Sequence, residues 1–292
     1  MRKPTAARLR LQLFALLYGI LIVASVISFV QAGDFQFGRK PLENLFKTAA
    51  EMSHPSLFDA WFGNPHLEFT NDAGVVLRVD DQRLVERRYL AGLLDAIWIT
   101  LKVATLGSLL AAVAALPFGV IAARNMAVPR LLAAPVRLLL DAARAIHALV
   151  FGLLLVGIIG LGPMAGILAI ALHSFGTYGK LYAEAIENID ERLIASGLVL
   201  GMTPLQTVLY ALPRTLLPQA LSIHLYIWEF NVRDSTVLGM IGVGGIGLLV
   251  SEAVSLFQWG RLATLLIAIV LLVLSFDRIS RRLRVELAAR TR

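Results

Sequence analysis

Residues 93–122 read LLDAIWITLKVATLGSLLAAVAALPFGVIA, and this stretch decides the class of the protein. It is interrupted by Lys102 and Pro117, yet it is longer than the roughly 20 apolar residues that a helix needs to cross a bilayer. Over all 292 residues, 58% are hydrophobic, 16% are charged and the mean hydropathy is +0.74. A typical soluble domain carries about 25% charged residues. The composition therefore predicts an integral membrane protein.

Apolar runs of similar length recur along the chain, so we expect an all-α protein with about six transmembrane helices. The run nearest the N-terminus, residues 11–32, is longer than the roughly 15 apolar residues of a secretory signal, so we expect it to be a retained span. The absence of cysteine excludes disulfides, thiol catalysis and thiolate metal sites. The other five runs are residues 11–32, 138–159, 164–185, 218–238 and 262–276.

The basic residues of the chain predict its orientation. The net charge is +7, but the basic side chains lie at the ends of apolar runs, which argues against a nucleic-acid partner and for a lipid bilayer. Cytoplasmic segments of membrane proteins are enriched in Lys and Arg. Six spans with both termini in the cytoplasm place every strongly basic segment there, namely residues 1–10, 124–137 and 278–292.

The segment of residues 33–89 then lies outside the cytoplasm, in the periplasm. It carries seven basic and nine acidic residues, the opposite balance to the cytoplasmic segments. Within it, residues 67–70 and 75–79 flank the turn sequence NDAG, which predicts a small β-hairpin. Residues 41–52 are predicted to form a short helix on the membrane surface. The expected organisation is residues 1–32 as cytoplasmic N-terminus and first span, 33–89 as periplasmic segment, and 90–292 as transmembrane domain.

A polar loop over residues 186–217 contains a short amphipathic helix. Thr203 before Pro204 is a typical helix start, and Gln206 completes a capping box with Thr203. The apolar residues that follow share one face of this helix, at spacing i, i+3, i+4 and i+7. Such a helix either packs under its own bundle or inserts into a groove on a cytoplasmic partner. The apolar stripe consists of Leu205, Val208, Leu209 and Leu212.

The same loop resembles the EAA loop of ABC-importer permeases. The resemblance lies in ASGLVLGMTPLQ at residues 195–206, with Leu-Pro at 212–213 and a further proline at 218. In that family the loop holds the coupling helix that docks on the ATPase subunit. Ala195 stands where the family has its glutamate. The resemblance implies ATPase coupling through Gly201, Thr203, Pro204, Leu205, Val208, Leu209 and Leu212.

Two further blocks, residues 160–187 and 231–247, resemble the permease of bacterial phosphonate importers. This resemblance covers roughly residues 93–284. It implies a MetI-like type I permease fold, a multi-pass protein of the bacterial inner membrane, and a homodimer. It also implies a separate ABC ATPase dimer that binds ATP and Mg, a periplasmic phosphonate-binding protein, and a cargo of phosphonate or a related anion such as phosphite or phosphate. No cofactor is expected in this chain.

Charged and polar residues inside the predicted spans are the candidates for a substrate pathway. An ionised side chain at a helix centre is costly, so such groups usually face a bundle interior or a watery cavity. Glu229 and Arg233 are four residues apart, so they form an internal ion pair, or Arg233 contacts an anionic substrate, or both. Ser235 and Thr236 add hydroxyl donors. His173 and Ser174 are interior polar groups or line the pathway.

Two motifs suggest nucleotide binding but lack the necessary context. GVGGIG at residues 242–247 fits a dinucleotide fingerprint, but an apolar position, Ile267, stands where that motif needs an acid. We interpret these glycines as a broken segment at membrane depth. GTYGK at 176–180 lacks the Ser or Thr of a Walker A motif, so a separate subunit is expected to hydrolyse ATP.

The alternatives to a permease are a membrane-embedded hydrolase and a non-transporting membrane scaffold. A hydrolase needs a nucleophile and a base that converge, and only the neighbouring residues His173 and Ser174 offer that pair. Adjacent residues on a helix point apart, so we expect no catalytic residue in this chain. A lone histidine with no second ligand at metal spacing likewise predicts no metal site.

Overall fold

The computed structural model describes residues 6–33, 40–70, 76–126, 128–189, 197, 199–203, 206 and 213–290. These residues are almost entirely helical, as predicted. The chain divides into two compact units, residues 1–50 and residues 51–292.

The first unit holds helix α1 (Ala6–Gln31) and most of helix α2 (Pro41–Met52). The 22 residues Arg10–Gln31 of α1 have a mean hydropathy of 2.6 and none of them is buried, as expected of a span surrounded by lipid. Helix α2 begins with proline at its first position, where no backbone donor is needed. Glu43 forms ion pairs with Lys40 at 2.8 Å and with Lys47 at 3.4 Å. The prediction of a helix over residues 41–52 is confirmed.

The second unit begins with a short helix and a hairpin. Helix α3 (Asp59–Phe62) precedes strands β1 (Leu67–Thr70) and β2 (Val76–Asp80), which pair antiparallel. Leu67 lies opposite Asp80 in the register. The predicted pair of strands is confirmed; the turn between them, residues 71–75, lies outside the described residues.

Helix α4 (Gln82–Ala122) is the longest element. Asp81 caps it by accepting a hydrogen bond from the backbone N–H of Arg83 at 3.0 Å. At a rise of 1.5 Å per residue, its 41 residues extend over about 60 Å. This length is about twice the roughly 30 Å of a hydrocarbon core. The helix therefore continues beyond the membrane and begins eight residues before the end of the predicted periplasmic segment.

The third predicted span, residues 138–159, is not one helix. Helix α5 (Arg130–Ala145) and helix α6 (Ala148–Ile159) meet at a bend of 88°. The side chain of His147 causes a new helix start at the bend, because its Nδ1 accepts from the backbone N–H of Leu149 at 3.2 Å. The prediction of a continuous span here is wrong.

Helix α7 (Pro163–Glu187) lies at the centre of the second unit and packs against α4, α5, α6 and α8 (Pro213–Leu238). A single π-helical turn (Gly239–Val243) follows α8, and the chain continues through α9 (Ile246–Ser255) and α10 (Trp259–Arg290). Small residues on α7 allow its neighbouring helices to approach closely, because helix association in lipid depends on packing. At Gly176 of α7, any Cβ would overlap with the backbone of Leu140 and Arg144 in α5.

Within the described residues, three helices are long and apolar enough to span a membrane: α1, α4 and α10. The number rises to five if the bent pairs α5–α6 and α8–α9 each count as one span. The sequence predicts about six spans, and the predicted span of residues 164–185 lies in α7, which is long enough but not apolar enough to enter this count. Its polar and small residues lower its mean hydropathy, and several of them, including Ser174 and Tyr178, are buried against neighbouring helices.

Candidate substrate pathway and coupling loop

A buried polar network joins α4, α7 and α8. The hydroxyl of Ser174 donates to Asn231 Oδ1 at 3.0 Å, and Asn231 Nδ2 donates to Ser108 Oγ at 2.7 Å. All three side chains are buried. Hydrogen bonds between helices in a membrane contribute about 0.6 kcal/mol each on average. The network therefore helps to fix the relative positions of the three helices.

A cavity of about 180 Å³ lies beside this network, between α7 and α8. On α8, Ile227, Asn231 and Asp234 line it because they share one face at spacing i, i+4 and i+7. The predicted pathway residues His173 and Ser174 both line this cavity from α7. The complete lining is His173, Ser174, Thr177, Tyr226, Ile227, Phe230, Asn231 and Asp234.

Two histidines lie near each other at the bend between α5 and α6, and both act on the carboxylate of Asp234. His173 Nδ1 lies 2.7 Å from the backbone oxygen of Ile146, and the His173 ring centroid lies 5.8 Å from that of His147. Asp234 interacts electrostatically with both histidines and with Arg233. Because Nδ1 of His173 serves the backbone, Nε2 is the ring nitrogen left for a ligand in the cavity.

Glu229 pairs with Arg284 of α10 rather than with Arg233. The distance from Arg284 Nη2 to Glu229 Oε2 is 3.4 Å, and the Arg284 guanidinium lies 5.7 Å from the Tyr226 ring centroid. The guanidinium of Arg233 lies 5.4 Å from the Phe230 ring centroid, and its side chain is exposed. Among the residues that the structure describes, Arg233 forms no ion pair. The predicted i, i+4 pair is thus replaced by a contact between helices.

The hydroxyls of Ser235 and Thr236 bond to backbone and do not reach the cavity. Ser235 Oγ donates to the backbone oxygen of Thr100 at 3.0 Å, and Thr236 Oγ1 donates to that of Val232 at 3.3 Å. Thr100 Oγ1 in turn accepts from the backbone N–H of Ile246 at 3.0 Å, at the start of α9. Thr100 of α4 therefore holds both Ser235 of α8 and the start of α9, whereas the Thr236 hydroxyl bonds within α8.

The junction between α8 and α9 is the glycine-rich break that the sequence predicts. Gly242, Gly244 and Gly245 have φ values of 96°, 97° and 75°, which residues with a side chain rarely adopt. The two helical segments on either side of the break are inclined by 58°. The motif follows a helix, whereas a dinucleotide fingerprint follows a strand. Its glycines therefore allow the chain to change direction between α8 and α9.

The start of the predicted coupling helix has the expected geometry. The backbone N–H of Thr203 donates to Gln206 Oε1 at 2.9 Å, and the backbone N–H of Gln206 donates to Thr203 Oγ1 at 3.2 Å. This reciprocal capping box confirms the predicted helix start. Gly201 precedes it with a φ of 78°. The remaining predicted coupling residues lie outside the described residues: Pro204, Leu205, Val208, Leu209 and Leu212.

Comparison with known proteins identifies the family. Residues 115–287 match the family described as "Binding-protein-dependent transport system inner membrane component". The match covers more than half of the chain. The chain belongs to this family of membrane transport components.

Relatives of this transport component include PtxC of Stutzerimonas stutzeri, named a phosphite transport system permease protein. The two are 38% identical over 185 residues, 63% of this chain and 67% of PtxC. PhnE of Mycolicibacterium smegmatis, named a phosphate-import permease protein, is 33% identical over 172 residues, 59% of this chain and 32% of that protein. The alignments thus span about two thirds and one third of these relatives. Both names agree with a non-catalytic permease subunit, as predicted.

A solved structure confirms the predicted MetI-like fold. A chain of the MetNI methionine ABC transporter in an inward-facing conformation superposes on this transport component with a TM-score of 0.61. The superposition covers 67% of this chain and 94% of the other, at 21% sequence identity. At this identity the likeness concerns the fold alone.

Sequence reasoning missed several residues of the site, most notably Asn231, Thr177 and the junction residue Thr100. The spacing of Ile227, Asn231 and Asp234 is the signal that was available, since residues at i, i+4 and i+7 share a helix face. No sequence signal links Thr100 to the glycine break 146 positions later.

Proposed function

We propose that this chain is the membrane-spanning permease subunit of an ATP-driven importer for a phosphonate or a related phosphorus oxyanion, such as phosphite or phosphate. The observation that carries the proposal is the position of the cavity between α7 and α8. Both helices lie within residues 115–287, the region that matches the family of transport components. Relatives of this chain are named for phosphite transport and phosphate import.

The charge distribution supports a bacterial inner-membrane protein with both termini in the cytoplasm. The loop over residues 186–217 then faces the cytoplasm, and the hairpin and the start of α4 face the periplasm. In this orientation a periplasmic binding protein delivers the anion to the side of α3 and β1–β2. The proposed organisation remains residues 1–32, 33–89 and 90–292.

Coupling to a separate ATPase dimer is assigned to the short helix that begins at Thr203. Its capping box holds the helix start, and its apolar stripe is the surface offered to a groove on the ATPase. ATP and Mg are held by that partner. The loop of residues 186–217 joins α7 to α8, so movement of the ATPases against it would displace the ends of both helices.

The permease acts by differential binding in two states and performs no bond-breaking step. A ligand shifts such an equilibrium only by the difference between its affinities for the two states. We assign the pathway to the cavity between α7 and α8 together with Arg233, whose exposed guanidinium matches an oxyanion in fork geometry. An exposed arginine beside the cavity fits a pathway completed by a second copy of the chain, as in the proposed homodimer.

Reconstitution with the cognate ATPase and binding protein in liposomes tests this proposal. ATP-dependent uptake of radiolabelled phosphite is measured alone and with competing phosphate, methylphosphonate or sulfate. We expect competition by the two phosphorus anions and little by sulfate. Uptake that sulfate or methionine suppresses as well as phosphate does, or a complex without uptake of any phosphorus anion, would contradict the assigned cargo.

A further inference from the structure

The cavity between α7 and α8 presents a carboxylate to a pathway that we assign to an anion. Asp234 is the acidic residue among those that line it, and no lysine or arginine belongs to the described lining. Two like charges repel, and in a partly buried site this repulsion is stronger than in water. An ordinary anion pathway would not place a carboxylate here.

The groups that act on Asp234 do not neutralise it with a fixed cation inside the cavity. Among the described residues they are His147 at the start of α6, His173 on α7 and Arg233 on α8 itself. Arg233 is exposed, lies over the Phe230 ring and is not among the residues that line the cavity. Among the described residues, the cavity therefore offers a ligand hydrogen-bonding side chains and no lysine or arginine.

Phosphorus oxyanions differ from other anions because they change protonation state near neutral pH. For a phosphorylated side chain the second pKa is about 6, so a monoanion with one P–OH group and a dianion coexist. A carboxylate accepts hydrogen bonds only, so it accepts from a P–OH group and repels a fully ionised oxyanion.

We propose that Asp234 is a specificity-determining residue that selects the monoprotonated form of the cargo. Its carboxylate accepts the hydrogen of the P–OH group, while the hydroxyl of Thr177, which lines the same cavity, donates to an ionised oxygen. The cavity volume of about 180 Å³ suits a single small anion, since a protein cavity of about 150 Å³ holds a benzene-sized molecule. This assignment rests on the proposed function.

The test is the pH profile of uptake by the complete reconstituted transporter. Radiolabelled phosphite is supplied at concentrations that saturate the binding protein at every pH, which a separate binding titration verifies. For the wild type we expect uptake between pH 6.5 and 8.5 to follow the monoanion fraction, which falls about tenfold per pH unit well above a second pKa like that of phosphate groups. For D234N, whose amide can also donate, we expect a change of less than about threefold over the same range.

Two further variants separate Asp234 from other causes. D95N makes the same chemical change on the exposed face of α4, away from the cavity lining, and is expected to keep the wild-type profile. The double variant H147Q/H173Q removes the two histidines that interact with Asp234 and is expected to keep the slope at a reduced rate. Retained ATP hydrolysis and co-purification of the ATPase verify that each variant is assembled.

The outcomes distinguish this assignment from the proposed function. A D234N profile as steep as that of the wild type, a flat profile in D95N, or a flat profile in H147Q/H173Q would each overturn the role of Asp234 while leaving the cargo intact. A wild-type complex that hydrolyses ATP but takes up no phosphorus oxyanion at any pH would overturn the cargo and, with it, this assignment.

Discussion

At the scale of single residues, a substitution of Arg233 tests whether this side chain acts in transport or only in the structure. Its expected partner Glu229 is engaged with Arg284, so loss of Arg233 leaves the ion pair of Glu229 intact. We expect R233Q to lower uptake about 10- to 100-fold, because a charge-assisted hydrogen bond is worth about 1.5–3 kcal/mol. R233K keeps the charge but not the fork and should lie in between.

The control for this prediction is R282Q, which neutralises an exposed arginine on α10. Uptake of radiolabelled phosphite and recovery of the assembled complex are measured side by side for all three variants. R282Q should transport like the wild type. Full transport by R233Q would show that Arg233 is a surface residue with no role in the substrate pathway.

At the scale of elements, the close contact between α5 and α7 is the most sensitive packing feature. A Cβ at Gly176 would overlap with the backbone of Leu140, and backbone cannot move aside as a side-chain end can. We expect G176A to lower the free energy of unfolding by about 1–3 kcal/mol, the usual cost of overpacking. Thermal unfolding of the purified protein in detergent measures this.

The matched control is G157A on α6, where a Cβ would meet nothing within 4 Å. In an open helical position alanine is favoured over glycine by up to about 1 kcal/mol. The two variants should therefore shift the unfolding temperature in opposite directions. Equal shifts would show that α5 and α7 are not in tight contact in the membrane protein.

The short helix that begins at Thr203 is the second element with a testable role. We expect the double variant L205D/L209D to abolish co-purification of the ATPase, because two carboxylates in an apolar groove cannot be solvated or paired. L200D places a single carboxylate on a side chain that is 76% exposed and outside the stripe, and should leave the association intact. Recovery of the ATPase with L205D/L209D would instead assign the helix to its own bundle.

Local patterns of the sequence predicted the elements that local interactions determine. The helix over residues 41–52, the pair of strands β1 and β2 and the capping box of Thr203 all depend on contacts within a few residues, and all are confirmed. The break between α5 and α6 was missed because hydropathy alone does not register a capping histidine within an apolar run. The partner of Glu229 was missed because Arg284 lies 55 positions away, and an i, i+4 neighbour appeared sufficient.

At the scale of the whole molecule, every side-specific assignment depends on the orientation in the membrane. The chain contains no cysteine, so a single introduced cysteine reports its own side without background. Phe62 and Leu200 suit this test because their side chains are 83% and 76% exposed. They belong to the proposed periplasmic segment and to the proposed cytoplasmic loop.

We expect F62C to react with a membrane-impermeant maleimide in intact spheroplasts, and L200C to react only after the membrane is permeabilised. The reason is the concentration of arginine in the segments assigned to the cytoplasm, which resist translocation across the membrane. The unsubstituted chain should not be labelled under either condition. The reverse pattern would place the helix that begins at Thr203 on the side without ATP. A permease inserted in that way could not be driven by a cytoplasmic ATPase, whatever its cavity binds.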